Sequence, residues 1–166
     1  MFAFDLPPAG QFRTAPPLLA SSDAWWLNGL ASQASPLLVL TETAQHAQRL
    51  REEIGYFAPG KRVLLLPDWE TLPYDHFSPH QDLVSERLAT LWQVKNREFD
   101  ILLVPAATAM LRLPPVEYLA AYTFFLKAKT KIDLDQLRRQ MTLAGYEHVT
   151  QVYSAGEYSV RGGLID

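Results

Sequence analysis

The chain has 166 residues, 48% hydrophobic and 20% charged, with a formal net charge of −3. That balance fits one or two folded domains and excludes extended disorder, and it argues against a generic electrostatic grip on nucleic acid, which needs a basic excess. With no cysteine, disulfides, thiol nucleophiles and thiolate metal sites are excluded.

The opening MFAFDLPPAG has no basic region and no long apolar core, so it does not read as a signal peptide. No apolar run approaches the roughly 20 residues that a membrane span needs, and a cytoplasmic protein with no membrane partner is expected. Pro7, Pro8, Pro16 and Pro17 mark an irregular lead-in. Ser21, Ser22 or Asp23 then caps a helix to about residue 34, carrying Trp25, Trp26, Leu27 and Leu30. LLVLT (37–41) is continuously apolar, the pattern of a strand covered on both faces. Thr41 or Thr43 opens a helix with Ala47, Leu50, Ile54 and Phe57 inside, and Pro59-Gly60 stops it. A second strand follows at 63–66.

The next segment, 67–92, joins a turn rich in aromatic and acidic residues to a helix. Ser78 reads as its N-cap, Pro79 as its first residue and Gln81 as the capping-box partner. Val84, Leu88 and Leu91, flanked by Leu83 and Trp92, form its apolar stripe, with Glu86 and Arg87 expected outside. A third apolar strand covers 101–104. Strand–helix–strand alternation with short connections predicts parallel βαβ units, hence a three-layer α/β domain with right-handed crossovers.

After Pro114-Pro115 the pattern changes. Residues 122–126 read as a strand edged by Lys127, Lys129 and Lys131. Asp133 caps a helix with Leu134, Leu137, Met141 and Ala144 inside, ended by Gly145. Strand-like runs at 148–153 and 157–166 flank Ser154-Ala155-Gly156 as an antiparallel hairpin. The division expected is 1–117 as the α/β domain and 118–166 as the start of a partial α+β domain. The second part has little material to bury its helix, so the sequence reads as a piece of a longer protein.

The chemistry is sparse. Neither GxxxxGK[ST] nor GxGxxG occurs, and Gly162-Gly163 lies in a strand context with no helix after it, so no phosphate loop is expected. His76 and His80, with Asp75 and Asp82, have metal-like spacing, but a helix start between the two histidines spoils a shared face. Asp75, Asp82 and Glu86 could pose as acid–base carboxylates, yet acidic residues belong in a first helical turn anyway. Trp25-Trp26 could stack bases, but adjacent helical residues diverge, which favours one indole in the core and one at its margin. The three lysines fit a solvated strand edge better than a phosphate contact. No catalytic residue, cofactor-binding residue or metal ligand is therefore expected. Arg161 stands apart, on one strand face with Glu157 and Ser159 and followed by an open Gly-Gly. A guanidinium there suits a partner's carboxylate, or else an ion pair with Glu157.

The stretches DWETLPYD (68–75), FSPHQDLVSERLATL (77–91), ILLVPAATAMLRLPP (101–115) and AGYEHVTQVYSAGEYSVRGGLID (144–166), with LLVLTETAQHAQRL (37–50), carry a resemblance. They resemble the N-terminal module of the bacterial transcription-repair coupling factors, itself similar to UvrB of nucleotide excision repair. The resemblance implies a helicase-like, degenerate P-loop NTPase domain followed by an α+β domain that docks onto UvrA. In UvrB-like chains the phosphate loop precedes the strand matching 37–41; here Ser21, Ser22 and Asp23 stand where Gly-Lys-Thr would be. UvrB's long DNA hairpin is replaced by the short turn DWETLPYDHF. The resemblance thus implies a non-enzymatic module without a cofactor, with ATP and magnesium handled by a motor further along the full-length protein. It places the UvrA contact at Arg161 in the xVRGG motif, with Glu157 as a weaker candidate beside it. RNA polymerase and double-stranded DNA would be met by other domains. The contrasting expectation is a vestigial nucleotide or nucleic-acid site acting through the 68–82 loop.

Overall fold

The computed structural model describes residues 6–71, 76–122, 129, 131–154 and 156–166. The chain divides into two compact units, Met1–Trp69 with Gln93–Arg112, and Glu70–Trp92 with Leu113–Asp166. Helices and a small parallel sheet make it a mixed α/β structure.

The first unit is built from α1 (Ser22–Gln33), β1 (Leu37–Thr41), α2 (Ala44–Phe57), β2 (Val63–Leu65), β3 (Ile101–Pro105) and the single turn α4 (Ala106–Ala109). Its three strands lie in the order β1-β3-β2, all parallel. Leu37 to Thr41 register against Ile101 to Pro105, and Val63 to Leu65 against Ile101 to Leu103. The apolar spacing of three and then four residues puts Ala24, Leu27 and Ala31 on one face of α1, and Ala47, Leu50 and Ile54 on one face of α2. These six join Ile101 and Leu103 in one core cluster, with Trp26, Leu30, Leu37, Val39, Val63 and Leu65 packed against it. Of the adjacent indoles, Trp26 packs on the core and Trp25 is 48% exposed.

Central β3 is buried along its whole length, as a strand paired on both sides should be. β1 departs from expectation. Its alternate residues Leu38 and Leu40 are 65% and 62% exposed, so this apolar run is covered on one face only. An unbroken apolar sequence reports apolar side chains on both faces; whether a second layer covers them is decided elsewhere in the chain. Asp100 ties the strand entries together: its carboxylate accepts the Arg62 N–H (2.8 Å), its own N–H donates to the Arg62 carbonyl, and its carbonyl accepts the Leu37 N–H.

α2 starts as its sequence predicts, with the Thr43 hydroxyl accepting the His46 N–H. α3 (Gln81–Lys95) does not. His80, rather than Ser78, occupies the capping position. Its carbonyl accepts the first helical bond, from Val84 N–H, and its Nδ1 accepts the Asp82 N–H. An imidazole acceptor one residue from the helix does what the more distant hydroxyl was expected to do. Arg87 is also displaced from expectation, being 1% exposed. It lies three residues from Val84 and four from Leu91, so helical geometry places it on the inner stripe despite its charge.

α5 (Val116–Tyr122) is a helix where none was expected, begun by the Pro115 carbonyl accepting Tyr118 and Leu119 N–H groups. The strand expected at 122–126 meets α5 at Tyr122, and its remainder lies outside the described residues. α6 (Leu134–Leu143) is capped as expected by the Asp133 carboxylate, which accepts the Asp135 and Gln136 N–H groups.

Candidate functional site

The residues around Arg161 are set up by how α6 ends. Gly145 takes a φ of +91°, its N–H bonding to the Thr142 carbonyl and the Tyr146 N–H to the Met141 carbonyl. This pair of reversed bonds closes the helix and turns the chain into β4 (Glu147–His148). β5 (Glu157–Tyr158) lies beside it, and Tyr158 is the anchor. It is 3% exposed, its hydroxyl lies 3.0 Å from the Thr142 hydroxyl, and its ring sits 5.0 Å from that of His148.

The β4–β5 pair is parallel, correcting the antiparallel hairpin expected around Ser154-Ala155-Gly156. The antiparallel hairpin lies further on, between β6 (Val160–Arg161) and β7 (Leu164–Ile165). Gly162-Gly163 forms its two-residue turn rather than part of a strand. A φ of +60° at Gly162 is the left-handed conformation such tight turns require, and glycine adopts it without steric cost. Reciprocal backbone bonds between Ser159 and Asp166 continue the ladder away from the turn.

Arg161 is exposed on this hairpin, directly opposite Leu164, which is 63% exposed. Cross-strand partners share a face, so a cation and an apolar side chain stand together there. The guanidinium does not pair with Glu157. Its Nη2 donates to the Thr150 carbonyl at 2.7 Å, and the same carbonyl accepts the hydroxyl of Ser159, a residue 5% exposed. Glu157 turns to the loop between β4 and β5, where its Oε2 accepts the N–H groups of Tyr153 (2.8 Å) and Ser154 (3.0 Å). Among the described residues, then, Arg161 bonds a neutral carbonyl and makes no ion pair.

The other sequence candidates fall into ordinary structural roles or outside the described residues. His76 is exposed, and no group of three or more His, Asp or Glu that could hold a metal occurs among the described residues. His80 lies 3.4 Å from the Asp82 carboxylate, both well exposed; Glu86 is exposed; Asp75 is outside the described residues. Ser78, Pro79, His80, Gln81 and Asp82 meet Tyr153 and Ser154 across a cleft of about 590 Å³. Lys129 and Lys131 are exposed, and Lys127 is outside the described residues. Where Gly-Lys-Thr would stand, Asp23 takes two hydrogen bonds from Arg49, at 3.2 and 2.6 Å, with His46 at 3.6 Å. Ser22 bonds back to the Leu19 carbonyl.

Residues 124–166, which include the whole Arg161 hairpin, match the UvrB interaction domain family. The chain is 40% identical over 95% of its length to the transcription-repair-coupling factor of Escherichia coli K12, covering 14% of that protein. It is a relative of the transcription-repair-coupling factors. The coupling factor of Haemophilus influenzae is 39% identical over 90% of the chain, and that of Bacillus subtilis 28% identical over 90%; each is covered to 13%. The chain thus spans about one seventh of the coupling factors it matches. Sequence reasoning missed Thr150, whose contribution is a backbone carbonyl that every residue type possesses. Leu164 was legible only once the turn was fixed at Gly162-Gly163, because the turn sets which residues face each other.

Proposed function

We propose that this chain is a non-enzymatic docking module that recruits UvrA by imitating UvrB, with Arg161 at the centre of the contact. The observation carrying the reading is that the UvrB interaction domain match contains an exposed arginine bonded to a neutral carbonyl, with its charge uncompensated by Glu157. A guanidinium presented this way suits bidentate pairing with a carboxylate, and Leu164 adds apolar contact beside it. Glu157 belongs to the same surface through the loop it holds.

In this reading residues 1–117 form the degenerate, helicase-like α/β part and 118–166 the start of the UvrA-docking part, in a cytoplasmic protein. The Asp23–Arg49 pair standing where a phosphate loop would be supports a part that binds no ATP or magnesium. Nucleotide hydrolysis, double-stranded DNA and RNA polymerase stalled at a lesion belong to other segments of a coupling factor, which this module would link to UvrA. Among the described residues no helix is long and apolar enough to cross a membrane.

Co-elution of the chain with purified UvrA tests the contact. Arg161→Ala is expected to weaken the complex at least tenfold, within the range for a partly desolvated arginine anchor. A folded Arg161→Ala variant that holds UvrA undiminished overturns it. The polar cleft beside Ser78–Asp82 favours a second reading, a vestigial nucleotide or single-stranded nucleic-acid site on the 68–82 loop. Saturable binding of ATP–magnesium or single-stranded DNA, abolished by His80→Ala, would support that reading instead.

A further inference from the structure

We infer that Glu157 is a positioning residue for Arg161 and makes no contact with the partner itself, an inference that rests on the docking function proposed for Arg161. A long side chain on a short strand next to a turn loses much conformational freedom when a partner fixes it. Part of that loss is met before binding if the free protein already holds the guanidinium. Here the hold is the Thr150 carbonyl, which accepts both Arg161 Nη2 (2.7 Å) and Ser159 Oγ (3.1 Å).

The Thr150 carbonyl is only as well placed as the loop that carries it. The chain leaves the sheet after the bond from Val149 N–H to the Tyr158 carbonyl, and is back beside it at the bond from Glu147 N–H to the Gly156 carbonyl. Parallel neighbours are normally joined through a helix, which satisfies the connecting backbone internally. Among the described residues of this connection no helix does so. The N–H groups of Tyr153 and Ser154, at the far side of the loop, are instead collected by the single oxygen Oε2 of Glu157, at 2.8 and 3.0 Å. Charge-assisted bonds of this kind are about twice as strong as neutral ones. Glu157 therefore closes the loop, the loop fixes Thr150, and Thr150 holds Arg161. The oxygen that closes the loop is engaged by two backbone N–H groups and Arg161 by the Thr150 carbonyl, so the carboxylate makes no ion pair with the arginine and leaves its charge to the partner.

The test compares Glu157→Ala, Glu157→Gln, Arg161→Ala and the Glu157→Ala/Arg161→Ala double variant in the 166-residue chain. Two readouts need no partner: amide exchange at Tyr153 and Ser154, and the ¹⁵N order parameter of the Arg161 Nε–H. The third is affinity for purified UvrA. In Glu157→Ala, exchange at both amides is expected to rise, Arg161 order to fall, and UvrA affinity to drop roughly two- to tenfold, the ordering cost of one long side chain. Glu157→Gln keeps an oxygen acceptor and is expected to restore most of all three. The double variant is expected to bind no worse than Arg161→Ala alone.

Unchanged Arg161 order in Glu157→Ala overturns the inference. So does a Glu157→Gln that binds UvrA as poorly as Glu157→Ala while keeping Arg161 ordered, because that is the signature of a direct charge contact. If Arg161→Ala leaves UvrA binding intact, the docking assignment falls, whereas the order parameter still decides whether Glu157 positions Arg161.

Discussion

The Asp23 carboxylate joins α1 to α2 by bonding Arg49, which also reaches Glu53 at 2.6 Å. Partial burial pushes the Asp23 carboxyl up. Hydrogen bonds from Arg49 and the Ala24 N–H, the Arg49 charge and His46 outweigh that and leave it below its ordinary value of 3.8. A carboxyl lowered in the folded state stabilises the fold at pH above its unfolded value, and that stability disappears as pH falls through the folded value. Urea unfolding at pH 7 and below pH 4 should therefore show wild type losing about 1 kcal/mol from this pair, a loss absent in Asp23→Asn. Equal acid loss in both proteins would contradict the assignment. Residue type was the weaker guide at this scale. Arg87 looks like a surface residue by chemistry, yet its spacing puts it on the inner face of α3, where it is 1% exposed. Arg161 stood out as a candidate because a guanidinium followed by Gly-Gly is sterically open and suits a carboxylate, and because the resemblance places the UvrA contact there. Its bond to Thr150 was not legible, since sequence carries no signal for which carbonyl a side chain meets.

Helix ends were the most readable elements. The Thr43 and Asp133 side chains cap as their positions predict, and Gly145 ends α6, because each signal acts within one helical turn. The start of α3 was misplaced by two residues, since Ser78 and His80 both offer an acceptor and only the backbone path chooses between them. Strand pairing after α6 was harder still. β4 and β5 are two residues each and pair in parallel, and so short a segment has no periodicity to declare its direction. The β6–β7 turn is more strictly specified. Gly162→Ala would place a side chain at a φ of +60° and is expected to cost roughly 1 kcal/mol. Cross-strand NOEs between Val160 and Ile165 should weaken with it, loosening the pairing of Arg161 with Leu164. Unchanged NOEs and stability would show that the turn tolerates a Cβ.

At the scale of the molecule, the first unit is organised by β3, paired on both sides and buried throughout. Amide exchange measured on the whole chain should be slowest at Ile101 to Val104, and faster in β1, an outer strand in this sheet with Leu38 and Leu40 exposed. Slower exchange in β1 than in β3 would contradict that hierarchy. The sequence alone determined the α/β character of the first unit, the caps at Thr43 and Asp133, the stop at Gly145, and Ala47, Leu50 and Ile54 as the inner stripe of α2. Phe57, expected inside with them, is 37% exposed, and of the buried α1 residues Leu27 was legible in the sequence but Ala24 and Ala31 were not. Local sterics and side-chain periodicity act over a few residues, so they are written in the order of the amino acids. Only the tertiary structure decided that β1 is covered on one face and that the Thr150 carbonyl, eleven residues earlier in the chain, holds Arg161. Both outcomes depend on which groups meet across the fold, and no local pattern encodes such a meeting.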